Sequence, residues 1–207
     1  MKNILLFISV IFLSLSFSLV RAKVTFAEDT YYVQKGDSLW VIAKKYQIGL
    51  SEIIEANPQI SNPSLIYPGQ KITIPTFTAT KSEEAEVLRL TNIERAKYGF
   101  PALKGDWQLD RVARYKSADM SAKGYFSHTS PTYGSPFTML KNFNVHYKAA
   151  AENIAAGQTS PTQVVQDWMK SENHRKNILS QTYTHIGVGY NKGGAYGHYW
   201  TQLFIKK

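Results

Sequence analysis

The sequence predicts an α+β protein in two unequal parts, and three observations carry that expectation. Residues 30–75 begin and end on strand-like runs with helical spacing between them. From Ser82 onward, apolar residues recur at helical intervals in three separate stretches. From Ile186 the pattern changes to alternation on both sides of Asn191-Lys192-Gly193-Gly194. Helices followed by an antiparallel hairpin, with no repeating strand–helix–strand units, belong to the α+β class.

A chain of 207 residues has room for one ordinary domain plus a small module. With 43% hydrophobic and 19% charged residues it is not collagen-like, low-complexity or largely disordered. The absence of cysteine excludes a disulfide framework, a cysteine nucleophile, thiolate metal ligation and a lipid anchor on an N-terminal cysteine.

Met1-Lys2-Asn3 is a short basic start, and Ile4 to Val20 is apolar apart from four serines. Thr25-Phe26-Ala27 then places small residues ahead of Glu28. This reads as a secretory signal peptide over 1–27, leaving no stable membrane span after cleavage. An uncleaved anchor is the competing reading, for which the apolar run is short. Loss of Lys2, Arg21 and Lys23 lowers the formal charge from +9 to +6. That excess lies in residues 83–207, which hold 16 basic and 10 acidic side chains, whereas 30–75 is nearly neutral. A mild, dispersed positive charge on an exported protein suits anionic wall polymers. No basic run or aromatic-interleaved basic stripe occurs, so a nucleic-acid partner is not expected.

In residues 30–75, Thr30-Tyr31-Tyr32-Val33 has strand character and Lys35-Gly36-Asp37-Ser38 is a turn. Asp37 or Ser38 can cap a helix whose stripe is Leu39, Ile42, Ala43 and Tyr46, stopped at Gly49. Ser51 can cap a second, short helix ended by Asn57-Pro58. Tyr67-Pro68-Gly69-Gln70 turns into the strand Lys71-Ile72-Thr73-Ile74. In so small a β-α-α-β unit the first and last strands must pair to close the core. Trp40 and Tyr46 are expected inside it.

This stretch resembles the LysM module. The likeness rests on Tyr32-Val33-Gln34-Lys35-Gly36-Asp37-Ser38-Leu39-Trp40, Asn57-Pro58 and Leu65-Ile66-Tyr67-Pro68-Gly69-Gln70. It implies binding of peptidoglycan or another N-acetylglucosamine-containing glycan in a shallow groove. Gly36, Asp37, Ser38 and Leu39 would form one side, and Leu65, Ile66 and Tyr67 the other. A single copy implies modest affinity.

Residues 76–82 read as a polar linker, and 83–207 as the larger domain. Ser82 can cap a helix with Val87, Leu90, Ile93 and Ala96 in step, ended by Gly99-Phe100-Pro101. Asp106-Trp107 opens a second, with Leu109, Val112, Ala113 and Met120 inward and a stop near Gly124. Ser160-Pro161-Thr162-Gln163 is a capping box with Pro at the first helical position, leading to Val164, Val165 and Trp168. Ile186, Val188 and Tyr190 alternate into the closing hairpin.

Of five histidines, His128 follows Tyr125-Phe126-Ser127 and His174 follows Ser171-Glu172-Asn173. Between them Glu152 is the sole carboxylate from residue 120 to 166, flanked by Ala and Ile. An unpaired carboxylate in apolar surroundings is costly, so a cationic, histidine or metal partner is expected. Spacing alone does not make the three converge. No nucleophile-elbow sequence supports a Ser-His triad.

The larger domain resembles bacterial members of the CAP superfamily of SCP-like extracellular proteins. The blocks that carry this are Phe126-Ser127-His128-Thr129, Ala151-Glu152-Asn153-Ile154-Ala155, His174-Arg175-Lys176-Asn177-Ile178-Leu179, Ile186-Gly187-Val188-Gly189 and Tyr199-Trp200-Thr201-Gln202-Leu203-Phe204. The resemblance implies an α-β-α sandwich with an open cleft, where His128, Glu152 and His174 match a cluster that holds zinc in several members. A fourth position, glutamate in many eukaryotic relatives, is Ser171 here, and Glu172 beside it reads as a surface charge. The leading expectation is a secreted protein of the cell wall or spore envelope, anchored by LysM and presenting a CAP cleft to a ligand or partner. The alternative is a zinc-dependent hydrolase of envelope peptides or glycans, with Glu152 and Ser171 catalytic, or a metal-free variant with Glu152 as general acid.

Overall fold

A computed structural model describes residues 27–76 and 78–207. All but Ala27 of the expected signal segment lies outside the described residues. Among the described residues, no helix is long and apolar enough to cross a membrane.

The smaller part is built from β1 (Ala27–Tyr32), α1 (Leu39–Tyr46), α2 (Leu50–Glu55) and β2 (Lys71–Thr76). β1 and β2 pair antiparallel over their whole length, from Ala27↔Thr76 and Glu28↔Pro75 to Tyr32↔Lys71. Ser38 caps α1, its Oγ accepting from the Val41 amide. Two local expectations are displaced by a residue or two. Gln47, at φ 56, makes the left-handed turn that ends α1, and Gly49 is the N-cap of α2. Ser51 is drawn instead to side chains, as described below. Val33, Leu39, Ile42, Ile48, Ile53, Ile72 and Ile74 fill the core. Asn57 ties it together, donating to the carbonyls of Ile53 and Thr73 and accepting from the Thr73 amide.

The larger part comprises α3 (Thr78–Lys97), β3 (Lys104–Gly105), α4 (Trp107–Lys123), α5 (Pro136–Asn142), β4 (Ala149–Ala156), α6 (Pro161–Lys170), α7 (Glu172–Leu179), β5 (His185–Lys192) and β6 (His198–Lys206). Helix α3 starts at Thr78, so most of the stretch read as a linker is helical. Ser82 is therefore inside the helix, its hydroxyl bonded to Glu83. The four strands run in the order β3-β5-β6-β4, with β3 parallel to β5 and the other pairs antiparallel. Strand β4 is thus an edge.

Alternation along the strands gives each sheet face its own core. On one face, Ile186, Val188, Trp200 and Phe204 meet Val87 of α3, Val164, Val165 and Trp168 of α6, and Ile178 of α7. On the other, Leu203 and Ile205 meet Leu109, Val112 and Ala113 of α4 with Met139 and Leu140 of α5. This is an α-β-α sandwich. Helix α4 approaches β5 without intervening side chains, at Gly187 and Gly189. A Cβ on Gly187 would lie 2.2 Å from Leu109 Cβ, and one on Gly189 2.0 Å from the carbonyl carbon of Ala113.

The inward stripe of α3 differs from the expected one. Glu84, Val87, Thr91 and Arg95 are buried, whereas Ile93 and Ala96 are exposed. The polar members have built partners. Glu84 receives the Arg114 guanidinium, Gln202 donates to Thr91, and Arg95 donates to the carbonyls of Pro101, Ile178 and Ser180.

Candidate functional site

Two sites emerge. In the smaller part, Asp37, Ser38, Leu39, Trp40 and Leu50 face Pro63, Ser64, Leu65 and Ile66 across a shallow groove. A neighbouring hollow is lined by Tyr67, with Gln59, Ile60, Asn62 and Gln70, and Leu65 borders both. Gly36, at φ +92, lines neither and serves the turn. The Asp37 carboxylate is committed to shaping that turn, accepting from the Gln34 amide and the Tyr31 hydroxyl, both at 2.7 Å. Those two bonds hold its pKa below the usual carboxylate range, the Gln34 amide contributing most.

Trp40 corrects an expectation. It is 59% exposed at the groove rim, not in the core. Leu39, Ile42 and Ala43 take the inward face of α1, and one residue along a helix turns about 100° away from it. Tyr46 does pack partly inward, edge-on to Tyr31. With Leu65 at 50% exposure on the groove and Tyr67 at 60% on the hollow next to it, the two together present apolar side chains to solvent.

In the larger part, edge strand β4 carries the second site. Glu152 and Ile154 point to the α4 side, where Ile154 meets Met120, and Asn153 points to the opposite side. His128 arrives on the loop after α4 and its Nδ1 lies 2.7 Å from Glu152 Oε1. The imidazole is 54% exposed while the glutamate side chain is 3% exposed, so the pair opens to solvent through the histidine. Burial raises the Glu152 pKa, partly opposed by the His128 hydrogen bond and by the charge of Lys116. His174, on α7, is held through its carbonyl by Asn153 Nδ2 at 3.1 Å. Burial lowers its pKa first, and the charge of His128 adds to this.

The loop that carries His128 is held by groups the sequence did not flag. Lys116, 1% exposed, donates from Nζ to the carbonyls of Ser127 and His128. Asp119, fully buried, accepts from Tyr125, Ser130 and Thr132. Ser171 joins α6 to α7, and Glu172 pairs with Lys176 on the exposed surface, as expected of a solvated charge.

A metal has less support from this geometry than the hydrogen-bonded pair has. Nδ1 of His128 is engaged by Glu152, and among the described residues no three His, Cys, Asp or Glu side chains are gathered to hold a metal ion. The pair can pass a proton between a buried carboxyl with raised pKa and an exposed imidazole, or anchor a polar ligand. One consequence is testable by NMR. In His128→Ala the His174 ring should titrate at higher pH than in the wild type, yet below a free histidine because its burial persists. An unmoved midpoint would separate the two histidines.

The family model for CAP, the cysteine-rich secretory protein family, matches residues 88–204, more than half the chain. The chain belongs to this family. A LysM domain model matches residues 31–75. This CAP protein is 53% identical over 130 residues to YkwD of Bacillus subtilis (strain 168), a match covering 63% of this chain and 49% of that one. It superposes with a TM-score of 0.59 and 36% identity on an extracellular protein containing a SCP domain from Bacillus anthracis, covering 68% of this chain and 47% of that one. The chain therefore spans about half the length of these two relatives. Its LysM part is 46% identical over 55 residues to the spore coat assembly protein ExsA of Bacillus cereus, across 27% of this chain and 9% of that protein.

Proposed function

We propose that this CAP protein is an exported envelope protein whose LysM groove binds N-acetylglucosamine-containing glycan and whose edge-strand site at His128 and Glu152 receives a ligand or partner. The observation that carries the reading is the run of exposed apolar side chains, Trp40 and Leu65 on the groove beside the polar loop at Ser38 and Tyr67 on the adjoining hollow. Apolar side chains of this kind cover sugar faces while loop backbone groups meet acetamido oxygens and nitrogens. The extracellular SCP-domain relative supports export, and the likeness to a spore coat assembly protein supports the spore envelope as a destination.

Sedimentation with insoluble peptidoglycan tests the anchor. Residues 27–207 should pellet with the wall, and the Trp40→Ala/Tyr67→Ala double variant should bind at least about tenfold more weakly, a loss of roughly 1.4 kcal/mol. Equal binding by both would count against the groove.

For the CAP site we favour ligand binding over hydrolysis, because Glu152 and His128 satisfy each other in a two-member arrangement. Purified wall incubated with the protein should release no fragments that depend on Glu152. Stoichiometric zinc in the wild type that is lost in His128→Ala/His174→Ala, together with Glu152-dependent release, would favour the zinc-dependent hydrolase instead.

A further inference from the structure

We propose that the LysM module is clamped to the CAP domain through Glu52 and Arg111, so that the glycan groove and the His128–Glu152 edge keep one relative orientation. Glu52, on α2, has a side chain only 1% exposed. Among the described residues no basic side chain of its own module pairs with it; the cation that does so is Arg111 of α4. The Arg111 guanidinium uses both Nε and Nη2 on the Glu52 carboxylate, the second at 2.9 Å, and Nη2 also donates to Ser51 Oγ at 2.9 Å. Ser51 in turn donates to Glu52. Such a two-pronged, planar pairing fixes direction as well as distance.

Two further features show that the contact is built rather than grazing. On the CAP side, Arg111 lies over the Phe143 ring, 4.7 Å from its centre, and near Tyr115, whose pKa is pushed up by burial and by Glu52. On the LysM side, Gly49 leaves room for the clamp. A Cβ there would fall 2.0 Å from Glu52 Oε2 and 2.4 Å from Arg111 Cζ. The residue between Gly49 and the clamp is Leu50, which lines the glycan groove. One short helix therefore faces the groove with its first residue and the CAP domain with the next two.

The clamp stands independently of what either site binds. Its test is 15N relaxation on residues 27–207, reading a rotational correlation time for each part. The wild type should give one common value. Arg111→Ala and, separately, Glu52→Gln should each split it, with the LysM amides tumbling about two-fold faster than the CAP amides, as expected for a part less than half the size. The exchanged pair Glu52→Arg/Arg111→Glu should restore a common value. Retained amide dispersion in both parts reports that a variant still folds. Two different correlation times in the wild type, or one common value in both single variants, would overturn the clamp. Loss of wall sedimentation without any change in these values would indict the groove and leave the clamp standing.

Discussion

Gly189→Ala should destabilise the CAP domain by at least about 3 kcal/mol, in the range reserved for overpacking that the backbone cannot absorb. The added methyl would sit 2.0, 2.2 and 2.3 Å from the Ala113 carbonyl carbon, the Arg114 nitrogen and the Ala113 oxygen. None of these is a side-chain end that can swing away. Helix α4 would have to move off β5, taking Leu109, Val112 and Ala113 out of contact with Leu203 and Ile205. It would also break the hydrogen bond from Ser117 to the Gly189 carbonyl. Gly105→Ala is the control. Its nearest obstacle is the tip of Leu88 at 3.1 Å, a flexible side chain, so it should cost well under about 1 kcal/mol. Urea unfolding midpoints compare the two, and a Gly189→Ala midpoint equal to the wild type would refute the close approach.

The buried Glu84–Arg114 pair should make the protein lose stability as pH rises. Glu84 is 4% exposed, and burial outweighs the pull of Arg114, pushing its pKa from 4.5 up to about 7. Asp110 beside it is pushed by burial to about 6, opposed by its bond from the Val188 amide. In the unfolded chain Glu84 gives up its proton near pH 4.5, whereas the folded chain keeps it until about 7. The folded state therefore binds more protons across that window, and its stability declines from pH 4.5 to 7, by roughly 3 kcal/mol for Glu84. Denaturant midpoints between pH 5 and 7.5 should fall in the wild type and fall less in Glu84→Gln, where Asp110 still sheds its proton near 6. Identical slopes would remove the assignment. The same logic makes Arg114 matter more at higher pH. Arg114→Ala should cost about 3–5 kcal/mol at pH 8, where it strands a buried anion, and less at pH 5, where Glu84 is neutral.

These polar contacts mark where sequence reading stopped. The α4 stripe was legible because Leu109, Val112, Ala113 and Met120 are apolar and all become buried. The α3 stripe was not, because three of its four buried positions among the described residues are Glu84, Thr91 and Arg95, which periodicity counts as solvent-facing. Their burial depends mostly on partners 30 to 111 residues away, Pro101 beside Arg95 being the near exception, and no local pattern carries that information. Lys116 and Asp119 have nearer partners, 6 to 13 residues away, but as charged residues they too count as solvent-facing in a periodicity reading. Glu152 was readable because it is an isolated carboxylate between apolar neighbours, which needs a partner, and His128 supplies it. Trp40 was misplaced by a general truth about tryptophan, that it buries well, overruling its position next to the stripe. The helix, the Gly-rich turns and the closing hairpin followed from capping residues and alternation, whereas the helical tether from Thr78 did not, since Ser82 offered a plausible cap four residues late.

The register of β1 also orders events in time. The expected cut between Ala27 and Glu28 falls within the ladder, where Ala27 faces Thr76 and Glu28 faces Pro75. A peptidase takes its substrate extended and unpaired, and a strand already zipped to its partner denies it that shape. A cut at this point would have to come before β1 and β2 pair, so cleavage and closure of the module would be successive steps.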